Sequence, residues 1–213
     1  MSEYPKNRKT DIVSKLQVLP NGVNLYQAEG TQFTTDSLHL AESIDMPPRS
    51  RIAELGCGTG GVIFSAALRN PDCSWVGLDI QENLLQIMMC SALLQEPKID
   101  LTAICCNVEN IPLLLQGGTF DAIMANPPFK VAGCGRESPV YSRRVSRSGD
   151  SILIYQFIRA AAHLLKKGGA FAIAGTPEML PKITLGCETY NLEIEETGNI
   201  MLFVKCDNDM VDR

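Results

Sequence analysis

Residues 51–61 read Arg-Ile-Ala-Glu-Leu-Gly-Cys-Gly-Thr-Gly-Gly. A short apolar run breaks into glycines at Gly56, Gly58 and Gly60 and then passes into a helical pattern. A strand that turns on glycines into a helix constrains the fold more than any other stretch of this chain. Glycine lets the backbone turn tightly and lie against a ligand where a side chain would block the approach. A turn that opens a helix also leaves free N–H groups and a positive helix end at that point. The alternation then continues. Strands are expected over 51–55, 74–79, 100–105, 119–125 and 169–175, and helices near 60–69, 81–95, 108–115 and 150–166. Strands that alternate with helices form a parallel sheet covered on both faces. Two late β runs, near 190–195 and 200–205, are joined by Thr-Gly-Asn and read as an antiparallel hairpin at one edge. The expected fold is therefore α/β: a doubly wound, mostly parallel seven-stranded sheet.

Ahead of the sheet, residues 14–27 hold two β-like runs around Pro-Asn-Gly, a hairpin signal. A short helix follows, capped by Thr35 or Asp36. The expected organisation is a tail over 1–13, a hairpin-and-helix cover over 14–48, a main domain over 49–206 and a tail over 207–213. The N-terminus is polar and carries no export signal, and no apolar run reaches membrane-spanning length. Eight cysteines are present, without a CxxC pair. Cys57, Cys73, Cys90, Cys105, Cys187 and Cys206 sit in or beside apolar runs and are expected to act as small hydrophobes. The two histidines are far apart, so no metal site is expected. A reducing cytoplasm is the expected address, and a monomer the default state. Net charge is −5, against a strong non-specific nucleic-acid binder. The charge is uneven, however. Lys130, Arg136, Arg143, Arg144 and Arg147 cluster between Lys130 and Asp150, whereas acid gathers from Cys187 onward. That cluster is either a basic patch on an acidic body or a solubilised loop.

The glycine turn alone does not name a cofactor, because dinucleotide enzymes turn on glycines at the same topological place. Here the pattern is E-L-G-x-G-x-G, with Glu54 two residues before Gly56. It resembles motif I of the class I S-adenosylmethionine-dependent methyltransferases. That resemblance implies that Glu54 approaches the methionine ammonium group and that the loop passes under methionine and ribose. The second strand ends in Asp79, 19 residues after Gly60. A carboxylate at that tip can accept both ribose hydroxyls, in either cofactor; the plainer reading is that Asp79 caps the next helix. Ile80 is placed to cover one adenine face, and Asn107, after the third strand, to meet the adenine amino group.

The fourth strand ends in Asn126-Pro127-Pro128-Phe129, the most informative tetrapeptide of the chain. Two prolines fix the backbone and remove two donors. The Asn126 side-chain oxygen and the Pro127 carbonyl are left as acceptors, and Phe129 offers a flat apolar face. Together they suit a planar NH2 group. The lone pair of such an amine is delocalised, so the amine is a poor nucleophile. Acceptors on its protons favour a localised, more tetrahedral nitrogen, and positioning supplies most of the catalysis. A rigid Pro-Pro turn without function is the alternative.

ELGCGTGG, GLDIQ and ANPPF together resemble the N-methyltransferases with an NPP(F/Y) motif IV, which act on adenine N6, guanine N2 or the glutamine N5 of release factors. Over roughly residues 14–185 the chain is most similar to the bacterial tRNA adenine-N6 methyltransferases that act beside the anticodon of a valine tRNA. The segments GVNLYQAEGTQFTTDSLHLAESI, ANPPFKVAGCGRESPVYSRRVSRSGD and IRAAAHLLKKGGAFAIAGTPEMLPKI carry the likeness beyond the motifs. The resemblance implies a Rossmann-like class I fold, with S-adenosylmethionine as cofactor and RNA, most of all tRNA, as partner. By the same resemblance Glu54, Gly56, Cys57, Gly58, Gly60, Asp79, Ile80 and Asn107 hold the cofactor. Asn126, Pro127, Pro128 and Phe129 hold the base, and Lys130, Arg143, Arg144 and Arg147 approach the RNA. The chain has Phe129 where Tyr is usual in the tRNA group and Asn107 where Asp is common. A glutamine-N5 or guanine-N2 acceptor, and a binding scaffold without turnover, are the alternatives.

Overall fold

The computed structural model describes residues 14–28, 31–128, 149–196 and 198–206. Phe129, Lys130, Arg143, Arg144, Arg147 and both expected tails lie outside the described residues.

A seven-stranded sheet forms the centre. Its strands are β3 (Arg51–Leu55), β4 (Ser74–Asp79), β5 (Asp100–Cys105), β6 (Phe120–Ala125), β7 (Leu165–Ala174), β8 (Leu192–Glu196) and β9 (Ile200–Lys205). The spatial order is β5-β4-β3-β6-β7-β9-β8. β3, β4, β5, β6 and β7 pair in parallel, while β9 runs antiparallel to β7 and β8. Pleat alternation sends successive side chains to opposite faces. Ala53, Leu55, Ile123, Ala125, Phe171 and Ile173 pack on one face with α4 (Ile111–Leu114), α5 (Gly149–Leu164) and α6 (Leu180–Thr189). Ile52, Trp75, Ala122, Met124 and Ala172 pack on the other. There they meet α1 (Thr35–Glu42), α2 (Gly61–Ala67) and α3 (Glu82–Ala92). Strands buried on both faces need near-continuous apolar sequence, which is what these runs supply.

A separate hairpin, β1 (Ser14–Val18) and β2 (Asn24–Ala28), lies against α3. Ser91 Oγ accepts the Tyr26 N–H at 2.9 Å, and Gln95 Nε2 donates to the Asn24 carbonyl at 2.8 Å. Leu25 is fully buried beneath it. The hairpin thus packs on α3 rather than standing apart.

Four expectations change. Thr34, not Thr35 or Asp36, caps α1, through a reciprocal pair with Ser37. The long helix stops at Leu164, because Lys166 joins β7, where its ammonium meets Asp121 of β6 at 2.7 Å. α6, which begins beside Pro181, was not expected. Cys90 and Cys105 are exposed, so they do not act as buried hydrophobes, whereas Cys57, Cys73 and Cys187 do. No described helix is long and apolar enough to cross a membrane. Among the described residues, no group of three or more potential ligand side chains clusters for a metal.

Candidate active site

The chain reverses its direction of winding at β3. From there β4 and β5 build one side of the sheet, and β6 and β7 build the other. Ligands of open α/β sheets bind outside the carboxyl ends of the strands at such a reversal. Leu55 pairs with Ala125 across β3 and β6. The glycine turn from Gly56 and the Asn126-Pro127-Pro128 segment therefore leave the sheet side by side, at the same end.

The turn is held from within. Gly56 and Cys57 N–H both donate to the Leu78 carbonyl, at 2.7 and 3.0 Å, and Gly60 N–H donates to the Cys57 carbonyl at 2.9 Å. Gly58 N–H donates to Asp79 Oδ2 at 2.9 Å. These donors are engaged, so the expectation of free loop N–H groups aimed at a ligand does not hold for them. Gly60 has φ 85°, and a Cβ there would lie 2.6 Å from Met88 Cγ and 2.8 Å from Phe64 Cε2. Only glycine fits. Cys57 is buried, with its Sγ directed at Gly77 of β4. Its thiol packs inward, and burial pushes its pKa up, with help from the Glu54 and Asp79 charges. What Cys57 can present to a ligand is backbone.

Glu54 is 2% exposed, and its Oε2 has no hydrogen-bond partner among the described residues. Burial first, then the Asp79 carboxylate, hold its pKa well above the ordinary 4.5, against a backbone hydrogen bond from Ile63. Buried acceptors without partners are rare, and each calls for an explanation. A cationic ligand group beside Glu54 would supply one. Asp79 is also buried. Its Oδ1 accepts Gln81 N–H at 2.8 Å while Oδ2 holds Gly58. It ties the two loops together and stops short of capping α3, whose N-cap is Gln81. Each of its oxygens keeps a second lone pair for a hydroxyl. Ile80 is 48% exposed, a free apolar face beside that carboxylate. Asn107 Oδ1 caps the short turn Val108–Asn110 by accepting Glu109 N–H at 3.0 Å.

Asn126 is half-buried, Pro127 buried and Pro128 exposed. The Asn126 Nδ2 donates to Ser37 Oγ at 3.2 Å. Ser37 belongs to none of the sequence motifs. The only local signal was its place three residues after Thr34, in a Thr-x-x-Ser spacing.

A family of sequences described as the methyltransferase domain matches residues 48–206. The chain belongs to that family. Its cofactor is S-adenosylmethionine. The crevice of this methyltransferase fits that molecule: an orphaned buried carboxylate oxygen for an ammonium, a carboxylate with spare lone pairs for ribose hydroxyls, and an exposed Ile80. Among relatives, the tRNA1(Val) (adenine(37)-N6)-methyltransferase of Bacteroides thetaiotaomicron is 27% identical over 169 residues, covering 78% of this chain and 69% of its own. The ribosomal RNA large subunit methyltransferase G of Pseudomonas putida is 28% identical over 184 residues, covering 82% of this chain and 41% of its own. Among solved structures, a 16S rRNA N2 methyltransferase (RsmC) of T. thermophilus, in complex with AdoMet and guanosine, superposes with TM-score 0.65 at 17% identity. That superposition covers 91% of this chain and 50% of the other, and it shows the shared fold. The chain thus spans only about half, or less, of the length of the last two.

Proposed function

We propose that this methyltransferase acts on an exocyclic planar amine of RNA, adenine N6 of an anticodon-loop adenosine in tRNA. The observation that carries the proposal is the pairing of Leu55 with Ala125, which sets the acceptors of the Asn126-Pro127-Pro128 segment beside the glycine turn. When bound, S-adenosylmethionine would supply an electrophilic sulfonium methyl group, for transfer to the amine nitrogen with cleavage of the S–C bond and loss of one amine proton to water. The residues of the chain do the rest. Asn126 Oδ1 and the Pro127 carbonyl accept hydrogen bonds from the two amine N–H groups and favour a lone pair localised on nitrogen. Phe129 stacks on the base, a contact that tolerates Phe in place of Tyr because it needs only an aromatic face. Glu54, the glycine turn, Asp79, Ile80 and Asn107 hold the cofactor. Lys130, Arg143, Arg144 and Arg147 contact phosphates and set register rather than sequence. The relatives named for tRNA and ribosomal RNA support an RNA acceptor.

The test is nucleoside mass spectrometry of total tRNA and ribosomal RNA after incubation with the protein and methyl-labelled cofactor. Labelled N6-methyladenosine in tRNA is the expected product. Label in N2-methylguanosine would move the acceptor to guanine, and label in protein glutamine alone would remove RNA from the account.

A further inference from the structure

An asparagine side chain can sit in two orientations of nearly equal shape, because its oxygen and nitrogen differ little in size. Only one of them turns an acceptor toward an incoming amine. The other sets donor against donor and repels it. In the structure Asn126 Nδ2 is engaged by α1, donating to Ser37 Oγ at 3.2 Å. Ser37 lies 89 residues earlier in the chain and is 6% exposed. Its hydroxyl is held in place by the cap of its own helix. It accepts the Thr34 N–H at 3.3 Å and lies 3.1 Å from Thr34 Oγ1. Thr34 Oγ1 in turn accepts the Ser37 N–H at 3.2 Å. A serine oxygen has two lone pairs and one proton. With the Thr34 and Asn126 N–H groups on those lone pairs, the serine proton is left for Thr34 Oγ1, 3.1 Å away.

We propose that Ser37 is a positioning residue for methyl transfer. Fixed by the α1 cap, it takes the Nδ2 hydrogen of Asn126 and so turns Oδ1 toward the target amine. The cover helix is then part of the transfer machinery and not only a lid on the core. This rests on Asn126 being the amine acceptor, as proposed above.

Two measurements test it. The first is methyl transfer to tRNA by Ser37→Ala, made both in the natural chain and in an Asn126→Asp background. An aspartate has two acceptor oxygens and no wrong orientation. Ser37→Ala is expected to lower kcat about tenfold in the natural chain, with KM for S-adenosylmethionine unchanged. In the Asn126→Asp background the same change is expected to cost less than about twofold. The second measurement is NMR of the Asn126 side-chain amide in the cofactor-bound protein. Its protons should be protected from exchange in the natural chain and lose protection in Ser37→Ala. Equal kcat losses in both backgrounds, or unprotected protons in the natural chain, would overturn the inference. A natural chain that methylates no RNA would instead sink the acceptor reading, and the NMR result would still decide the orientation of Asn126.

Discussion

Glu54→Gln should stabilise the cofactor-free protein at neutral pH, although it alters the carboxylate proposed to meet the cofactor. Glu54 is buried with one oxygen unpartnered, and its folded pKa lies well above 4.5. A carboxyl raised in this way leaves stability intact below its unfolded pKa. Stability is then lost as pH rises toward the folded pKa, because the unfolded chain ionises and the folded one does not. Within that window each pH unit removes up to about 1.4 kcal/mol, the free energy of one proton. Between pH 5 and 7 the loss reaches at most about 2.7 kcal/mol on the same scale. The substituted glutamine would keep the shape and still accept the Ile63 N–H, but cannot ionise. The two proteins should be similar at pH 5 and separate by up to that amount at pH 7. Urea unfolding from pH 5 to 8, under reducing conditions and without cofactor, reads the difference. At about a hundredfold excess over Kd, S-adenosylmethionine adds roughly 2.7 kcal/mol to the natural protein. It should add less to the variant, so the gap narrows. Parallel stability curves for the two proteins across this range would refute the reasoning.

Asp79→Ala should weaken S-adenosylmethionine binding at least tenfold by calorimetry, because it removes two hydroxyl acceptors and frees the loop held through Gly58 and Gln81. It should also lower the melting temperature; unchanged affinity would detach Asp79 from the cofactor. Gly60→Ala should destabilise by about 2–3 kcal/mol, from a left-handed backbone and overpacking against Met88 and Phe64. A denaturant midpoint equal to that of the natural chain would show that the turn relaxes around a methyl group.

The strands were legible because each is a short apolar run with turn residues at its ends, and 51–55, 74–79 and 100–105 lie where the pattern put them. Element ends were less so. Lys166 and Lys167 suit a helix terminus by charge, yet Asp121 on the neighbouring strand draws Lys166 into β7. α6 was hidden by Pro181 and Gly186, residues that normally argue against a helix, with Pro181 tolerated in the first turn. The residues proposed to hold the cofactor can be picked out by identity, since Glu54, Gly60 and Asp79 follow strands at telling intervals. Their states cannot be. That Glu54 would be buried with an orphaned oxygen, and that Gly56, Cys57 and Gly58 would direct their N–H groups to Leu78 and Asp79, depends on how β4 seats beside β3. Ser37 was invisible for the same reason. Its partner is 89 residues away, and Ser at the third cap position is not the Glu or Gln that usually marks a capping box.

In the proposed function the crevice between β3 and β6 serves both reactants, and Asn126→Ala tests this most directly. Calorimetry and methyl transfer to tRNA should part company in that variant. S-adenosylmethionine affinity should stay within about twofold of the natural protein, while kcat falls at least a hundredfold, on the scale of roughly 10²–10³ seen when one preorganised polar group is removed. Turnover equal to that of the natural chain would mean that the amine is held elsewhere, and the contribution assigned to the β6 tip would be wrong.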